Sequence, residues 1–505
     1  MSSGPSTNEF TKKEVPDSSE LARKPSGEHE RQERTLADET IQIVDWDGPD
    51  DPNNPKNWSS KRKWAATSIA SLFTLLSPTT SSIISPATSH VVEEFGITNT
   101  TLAGMITSIF VLGFAVGPLL FGPLSEIYGR SRVVQWATMW FLIWNLVCGF
   151  AQTTTQLIIF RFFAGLGGSA SITIGAAVIG DTFNPDQRGR ATAIYALGPM
   201  VGPALGPVVG AWIATRTTWR WVFWSTSIFN VLIQIAGLVY LQETYAPVLL
   251  ERKAKRLAKA MSSLDPEKAS KRPIPRFQTP YESEDRSWQK ILGKALTRPF
   301  ILFAREPIIQ LLGAYMSLMY GVFYLFITTM PGIFQNVYHE STGIGGLNFI
   351  ALGSGMCFAS FVNSRTMDKI YRYYKDRNGG VGEPEFRVPT MVPASIAFPL
   401  GILMSGWGAQ HHVHWIVVDV GIFLVGTGII LAFQCIQTYI IDVFTLYAAS
   451  GVASVFFLRA LFGFCFPLFA DEMYNSLGYG KGNTILSAAA IALGCPAPWI
   501  LWFYV

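Results

Sequence analysis

The residues of this chain that could do chemistry are charged side chains in or beside long apolar runs. Arg161 lies in such a run, about six residues from one end, where a charge inside a bilayer is costly and usually functional. An alternative is that its side chain reaches back to the lipid headgroups. The acidic candidates stand at the ends of apolar runs: Asp181, Glu306 and Asp442. No carboxylate lies in the middle of a run, so these few charges define the candidate ionic sites.

Two groups of polar side chains suit binding rather than catalysis. Tyr315, Tyr320 and Tyr324 offer aromatic surface with hydroxyl groups, and Gln434 and Gln437 place two amides on one side of a helix. A mostly apolar pocket with a few polar groups suits lipophilic or amphiphilic ligands. An alternative for any single aromatic is plain packing against helices or lipid, whereas two amides in an apolar segment must find partners.

Residues for other chemistries are missing from the sequence. It contains no clustered nucleophile, base or metal ligands, so we do not expect an enzyme. The ATP-binding pattern G-x-x-x-x-G-K-[ST] is also missing, so ATP hydrolysis is not expected. The histidines lie in the N-terminal tail or in predicted loops, so no metal site and no cofactor are expected.

The elements that position these residues follow from the composition. The chain has 505 residues, of which 49% are hydrophobic and 15% charged, whereas about a quarter of a typical soluble chain is charged. A membrane-spanning helix needs about 20 apolar residues. Twelve segments meet this requirement, at about 64–84, 101–122, 133–151, 156–180, 192–213, 221–241, 307–329, 345–363, 388–406, 413–438, 450–470 and 484–504. We number these segments as spans 1 to 12. They predict an all-α membrane protein with twelve transmembrane helices.

The distribution of Lys and Arg predicts the orientation. Of these 39 residues, 33 lie in segments that alternate between spans: 1–63, 123–132, 182–191, 243–302 and 365–387. The positive-inside rule places these segments, and therefore both termini, in the cytoplasm. The sequon at Asn99 falls in the first outer loop and is a candidate glycosylation site.

The order of the spans indicates a duplication. We expect a disordered cytoplasmic tail, a six-helix half, a cytoplasmic loop and a second six-helix half, at 1–63, 64–242, 243–306 and 307–505. Charged loops follow both span 2 and span 8 (364–377), and spans 4 and 10 end at Asp181 and Asp442. Two parallel six-helix halves are the plan of a secondary transporter with a binding site near the bilayer midplane.

Span 5 carries the stretch GPMVGPALGPVVG, residues 198–210. Its glycines recur every four residues and therefore share one helical face, at Gly198, Gly202, Gly206 and Gly210. A face without side chains lets another helix approach closely. Pro203 and Pro207 each remove a backbone hydrogen bond and bend the helix. The stretch predicts a bent helix whose glycine face can slide along a neighbouring helix.

The connection between spans 2 and 3 reads GPLSEIYGRSR, residues 122–132. Glu126, Arg130 and Arg132 stand at predicted cytoplasmic helix ends, where they can pair with each other, with helix termini or with Asp181. Contacts that form in the outward-facing state and break in the inward-facing state would make a latch. The alternative is that the arginines reflect membrane topology alone.

Three motifs resemble those of a known family. The stretch 198–210 resembles the antiporter motif on span 5 of the major facilitator superfamily, which is associated with proton-coupled drug exporters. The connection 122–132 is similar to that superfamily's signature, with Glu126 where Asp is commoner, through Gly122, Leu124, Gly129, Arg130 and Arg132. RFFAGLGGSA, residues 161–170, resembles the span-4 motif, and further segments resemble fungal twelve-span drug and polyamine exporters.

The resemblance implies the major facilitator fold and a part for Arg161 in proton transfer or its control. The acids available to carry protons are Asp181, Glu306, Asp442 and Glu126, and none is central in a span. Proton antiport therefore rests on the resemblance.

The expected function is proton-coupled efflux of lipophilic or amphiphilic small molecules across the plasma membrane, by a monomer without cofactors or nucleic-acid partners. Alternatives are a polyamine exporter, disfavoured by the scarcity of acids, or a nutrient importer. A third alternative is a non-transporting sensor that signals through residues 243–302.

Overall fold

The computed structural model describes residues 41–264, 276–281, 288–444 and 448–504. The first 40 residues of the predicted disordered tail lie outside this part of the chain. Regular structure begins earlier than the prediction of a disordered segment 1–63 allows. A 3-10 turn spans Pro55–Asn57, with Asn54 as its cap. Strand β1 (Ile41–Ile43) pairs in parallel with β2 (Arg276–Gln278), and these two strands belong to a separate small unit.

The first half contains six long helices and one short one. They are α1 (Ser60–Ser82), the short α2 (Thr88–Phe95), α3 (Thr100–Tyr128), α4 (Arg130–Cys148), α5 (Thr154–Thr182), α6 (Pro185–Arg216) and α7 (Arg220–Tyr240). Local residues set the boundaries. The Asn99 side chain accepts a hydrogen bond from the Thr101 backbone N–H at 2.9 Å and caps α3. Gly129, at φ 102°, is the single residue between α3 and α4.

The rest of the chain continues through two connecting helices into the second half. The helices are α8 (Ala246–Leu264), α9 (Trp288–Arg305), α10 (Pro307–Asn336), α11 (Thr342–Leu347), α12 (Phe349–Arg377), α13 (Val392–Gln410), α14 (Trp415–Val443), α15 (Ala448–Gly494) and α16 (Pro496–Tyr504). The segment 364–377, predicted as a loop, instead continues α12. That prediction was wrong because charged residues can extend a helix beyond the bilayer as readily as they end it.

The helices account for all twelve predicted spans. Among the described residues, nine helical stretches are long and apolar enough to cross a membrane, by length and composition. The last of them, Gly451–Phe503, bends at Gly478 (φ 76°) and supplies spans 11 and 12. Helices α1 and α4 are less apolar and supply spans 1 and 3. The protein is thus an all-α membrane protein with twelve spans in two six-helix halves.

The two halves repeat the same packing. In the first half α1 packs on α6, α3 on α5, and α4 on both α5 and α7. The equivalent helices of the second half make the same pairs: α10 packs on α15, α12 on α14, and α13 on α14 and α15. The halves meet where α3 packs against α15 and α6 packs against α12. Because α3 is equivalent to α12 and α6 to α15, these two contacts are equivalent to each other. This arrangement is a parallel repeat about a central axis.

Candidate transport pathway

The glycine face of α6 packs directly against the backbone of α1. A Cβ placed on Gly198 would lie 2.9 Å from the Leu75 backbone nitrogen, and one on Gly202 would lie 2.9 Å from the Leu75 carbonyl oxygen. A Cβ on Gly206 would lie 2.5 Å from the Thr79 carbonyl oxygen, and one on Gly210 would meet the Ile83 carbonyl oxygen. The close approach predicted for these glycines therefore occurs at all four positions.

The helix that faces these glycines belongs to the same half. The sequence predicted a sliding glycine face but did not identify the helix that it faces. Contact with the second half is made by other positions of α6: Ala204 lies 3.0 Å from the place of a Cβ on Gly353, and Gly346 stands against Ala211. Small residues thus line the contact of α6 with both halves. Pro203 and Pro207 lie inside α6, which runs unbroken to Arg216.

The halves are joined at the end of the bundle that we predict to face outward. The Tyr324 hydroxyl lies 2.9 Å from the Ser81 hydroxyl, and Ser85 donates to the Ile327 carbonyl. A Cβ on Gly104 would lie 2.5 Å from the Pro467 carbonyl oxygen. These contacts connect α1 and the turn that follows it to α10, and α3 to α15, so this end is closed.

Arg161 is fully buried beside this closure, at 0% exposure. Its Nη2 donates to the carbonyl oxygens of Ser81 at 2.8 Å and Thr107 at 3.3 Å, and Phe110 lies 5.3 Å from its guanidinium. The alternative that Arg161 reaches the lipid headgroups was therefore wrong, because the side chain points into the bundle and binds α1 and α3. Ser169 and Ser171, further along α5, donate to carbonyls of their own helix and not to Arg161.

A small cavity at the closed end contains a carboxylate that the sequence analysis did not single out. Asp471 lines it, together with Thr88, Ala103, Gly104, Thr107, Thr328 and Pro467, and the cavity volume is about 40 Å³. A cavity of this size holds water. Thr107 is also the residue whose carbonyl accepts from Arg161. The cavity therefore brings an acid of the second half next to the segment that the buried arginine anchors.

The predicted substrate residues separate into different environments. Tyr315 is fully buried and its ring stands against Gly494, as in the alternative of plain packing between helices. Tyr324 is also fully buried, and its hydroxyl takes part in the closure described above. Tyr320 is half-buried and its ring centroid lies 6.0 Å from that of Phe433.

The two amides of α14 also differ. Gln434 accepts from Asn363 at 2.6 Å and donates to Ser360 at 3.2 Å, and its Nε2 lies 3.9 Å from Met200 Sδ in the other half. Gln437 is exposed. Of the pair, Gln434 therefore contacts the surface where the halves meet.

A second arginine lies beside Tyr320. The Arg459 guanidinium lies 3.7 Å from the ring centroid of Phe456, 4.8 Å from that of Tyr320 and 5.6 Å from that of Phe433. The sequence analysis did not single it out, although a charge in an apolar span is the signal that selected Arg161. Tyr320, Phe433 and Arg459 bring together three helices of the second half.

Arg130 is the centre of an ionic cluster at the predicted cytoplasmic end of the first half. Its Nε lies 3.5 Å from Asp181 Oδ2, its backbone N–H donates to Glu243 at 2.8 Å, and its Nη1 donates to Ser125 at 2.6 Å. The pairing of Arg130 with Asp181 is thus confirmed, and Glu243 is a partner that the sequence analysis missed. Arg130 and Asp181 belong to one half, so this pair does not by itself latch the two halves together.

The remaining residues of this motif have different surroundings. Gly129 needs its positive φ, and a Cβ there would lie 2.6 Å from the Glu243 carboxyl carbon. A Cβ on Gly122 would have no neighbour within 4 Å, and Leu124 packs against the core. Glu126 and Arg132 are exposed.

The second half has an equivalent ionic cluster. Arg387 Nε lies 2.5 Å from Asp442 Oδ2, and its Nη1 lies 3.8 Å from Asp368. Arg387 was missed because it lies more than 50 residues before Asp442 in the sequence, and only the fold brings the two together. Glu306 lies apart, at the N-cap position of α10, without a side-chain capping bond. Asn99 is exposed and caps α3, and its glycosylation stays a prediction.

Comparison with known proteins decides the family. The model of the Major Facilitator Superfamily matches residues 70–467. The chain belongs to this superfamily. The efflux pump vrtL of Penicillium aethiopicum is 42% identical over 468 residues, which cover 93% of this chain and 90% of that protein. The MFS-type transporter penM of Penicillium rubens is 41% identical over 462 residues, covering 92% and 88%.

A solved structure shares the fold of this major facilitator protein. The xylose transporter XylE from E. coli, in a partially occluded inward-open conformation, superposes with a TM-score of 0.64 at 16% identity, over 88% of this chain and 98% of that one. The protein is therefore a multi-pass membrane transporter that carries small molecules, in a superfamily whose members are not enzymes.

Proposed function

We propose that this transporter exports lipophilic or amphiphilic small molecules, such as toxins or secondary metabolites, in exchange for protons. The observation that carries the proposal is Asp471 in a cavity at the closed end, between the two halves. An acid at a surface that opens and closes can take up a proton on one side of the membrane and release it on the other. The name of the relative vrtL, an efflux pump, supports export.

The other candidate proton carriers fit structural roles better. Asp181 and Asp442 each pair with an arginine of their own half, at 3.5 Å and 2.5 Å. Glu306 stands at the N-cap position of α10. Arg161 binds two carbonyl oxygens and so fixes α1 to α3 beside the Asp471 cavity. We assign the proton to Asp471 and the control of its access to Arg161.

The proposal includes an orientation. The tail 1–63, the connection 243–306 and both termini would face the cytoplasm, and the protein would act as a monomer in the plasma membrane. With this orientation the closed end faces outward, so the structure corresponds to an outward-closed state. The halves 64–242 and 307–505 would then rock about the small-residue contacts of α6 to open it.

The test is efflux of a panel of lipophilic dyes and toxins from pump-deficient yeast that expresses the chain, with and without a protonophore. Wild-type protein should lower the cellular content of at least one compound, and the protonophore should abolish this effect. Asp471→Asn should abolish efflux at equal surface expression. Glu472→Gln is the matched control, because Glu472 is adjacent and exposed, and it should keep efflux.

The other outcomes have distinct meanings. Efflux that the protonophore does not change would contradict proton coupling. Normal efflux by Asp471→Asn would show that Asp471 does not carry the proton. Protonophore-sensitive accumulation instead of efflux would identify an importer. A protein that reaches the surface and moves no compound of the panel would contradict broad export and favour sensing or a narrow substrate.

A further inference from the structure

Arg459 lies near the middle of the membrane. It stands eleven residues after the start of α15 at Ala448, which corresponds to about 16 Å of helix, roughly half of the bilayer core of about 30 Å. A charge at this depth is costly and marks a functional site unless it is paired within the protein. The partners of Arg459 therefore decide its meaning.

Among the described residues, the guanidinium of Arg459 has aromatic neighbours and no anionic partner. Phe456, Tyr320 and Phe433 surround it at 3.7, 4.8 and 5.6 Å from their ring centroids. Within the described part of the chain it makes no ion pair and donates no hydrogen bond. Arg161 differs, since its Nη2 donates to the carbonyl oxygens of Ser81 and Thr107. Aromatic faces stabilise the cation, but they leave the in-plane N–H donors of Arg459 unused.

The arginine lies on the side of α15 that faces the other half. Gly463 lies one turn further along the same face, and a Cβ there would be 2.9 Å from Tyr320 Cδ1 and 3.2 Å from Val111 Cγ1 of α3. The Tyr320 ring also lies 5.1 Å from that of Tyr324, whose hydroxyl contacts Ser81 of α1. Arg459 is half-buried, so part of its side chain stays accessible.

We infer that Arg459 binds an anionic group of the transported molecule, so that the substrates are amphiphilic organic anions such as aromatic carboxylic acids. The inference rests on the proposed function, because it assumes that molecules enter between the halves. The planar guanidinium matches a carboxylate with two parallel hydrogen bonds, and the rings of Tyr320 and Phe433 offer aromatic surface to its apolar body. A polyamine would be repelled at this position.

The test is equilibrium binding to the full-length protein purified in detergent, with 9-anthracenecarboxylate and its methyl ester as probes. The two probes share the ring system and differ in charge. Wild-type protein should bind the acid at least about tenfold more tightly than the ester, the size of a charge-assisted hydrogen bond in a partly buried site. Arg459→Gln should bind both equally, with unchanged affinity for the ester.

Two further variants keep the test decisive. Arg459→Lys keeps the charge but loses the bidentate geometry, and should retain part of the preference even if Arg459→Gln fails to fold. Arg365→Gln is the matched control, because Arg365 also lies over a ring, that of Phe361 at 4.8 Å, but is exposed. It should bind like wild type.

Several outcomes would overturn the inference: equal affinity of wild-type protein for acid and ester, binding of neither probe, or a preference that survives in Arg459→Gln. Binding does not require transport. Failure of the yeast efflux assay, with the acid preference intact and dependent on Arg459, would refute the proposed export and leave the anion site standing.

Discussion

Replacing Gly206 by alanine tests the packing of α6 against α1. The added Cβ would lie 2.5 Å from the Thr79 carbonyl oxygen and 3.0 Å from the Ile83 backbone nitrogen, and would also meet the Ser82 hydroxyl. Ordinary contact begins at 3.4 Å, so the two backbones must separate by about 0.9 Å, since the hydroxyl can rotate away and the carbonyl cannot. Overpacking of this kind costs about 1–3 kcal/mol.

A matched glycine separates this cost from the helix preference of alanine. Alanine favours a helix over glycine by about 1 kcal/mol, so Gly206→Ala alone mixes a gain and a loss. Gly332 of α10 is also helical, and a Cβ there would meet only Asn336 Nδ2, at 3.8 Å. The two variants should therefore differ in the free energy of unfolding by about 1–3 kcal/mol, with Gly332→Ala the more stable.

The assay is thermal denaturation of detergent-purified protein, followed by fluorescence-detected size exclusion at matched concentration. The melting temperature should rise or stay constant in Gly332→Ala and should fall by several degrees in Gly206→Ala. If Gly206→Ala melts with or above Gly332→Ala, the close approach of α6 and α1 is not a feature of the folded protein.

Two further predictions concern the closed end. Tyr324→Phe removes the hydroxyl contact with Ser81 between the halves and should weaken the closure by about 1 kcal/mol, or roughly fivefold. Faster labelling of Thr328→Cys by an impermeant maleimide, with Cys357 and Cys465 replaced by serine, would show this. Tyr338→Phe, which loses bonds within one half, should not change the rate, and equal rates in both variants would contradict the closure. Glu94, bonded to Arg220 at 2.7 Å, has a pKa below its ordinary value because of that hydrogen bond. Its lowered pKa stabilises the fold above the pKa of an ordinary glutamate, and the gain is lost as the pH falls through the lower folded-state pKa. Glu94→Gln should therefore lower the free energy of unfolding at neutral pH by at most about 1 kcal/mol for such an exposed pair, and so melt below wild type. The difference in melting temperature should vanish in acid, and a difference that grows in acid would refute the prediction.

The sequence predicted the spans and the shared glycine face because both depend on spacing along one helix. It could not identify the helix that faces Gly198 to Gly210, since periodicity defines a face but not its neighbour. For the same reason it left open whether Tyr315 faces a ligand or packs between helices, and that side chain stands against Gly494 of α15.

Side-chain contacts between residues far apart in the sequence were the other limit of prediction. The pairing of Arg130 with Asp181 could be predicted because a motif marked the arginine, but Glu243 and Arg387 join their clusters across long sequence separations. Arg161 shows that counting residues from the end of a span does not predict whether a side chain is exposed. Its distance from the end of the span left exposure to the headgroups open as an alternative, whereas the direction of the side chain buries it completely.

The most direct test of proton-coupled export uses proteoliposomes that are acidic inside and diluted into alkaline buffer with a fluorescent compound that the yeast assay has identified. In an antiporter, protons that leave drive the compound inward, whichever way the protein is inserted. Proton-coupled export predicts accumulation above equilibrium that a protonophore and Asp471→Asn abolish and that Glu472→Gln preserves. Accumulation only when the outside is acidic would identify a symporter and contradict export in exchange for protons.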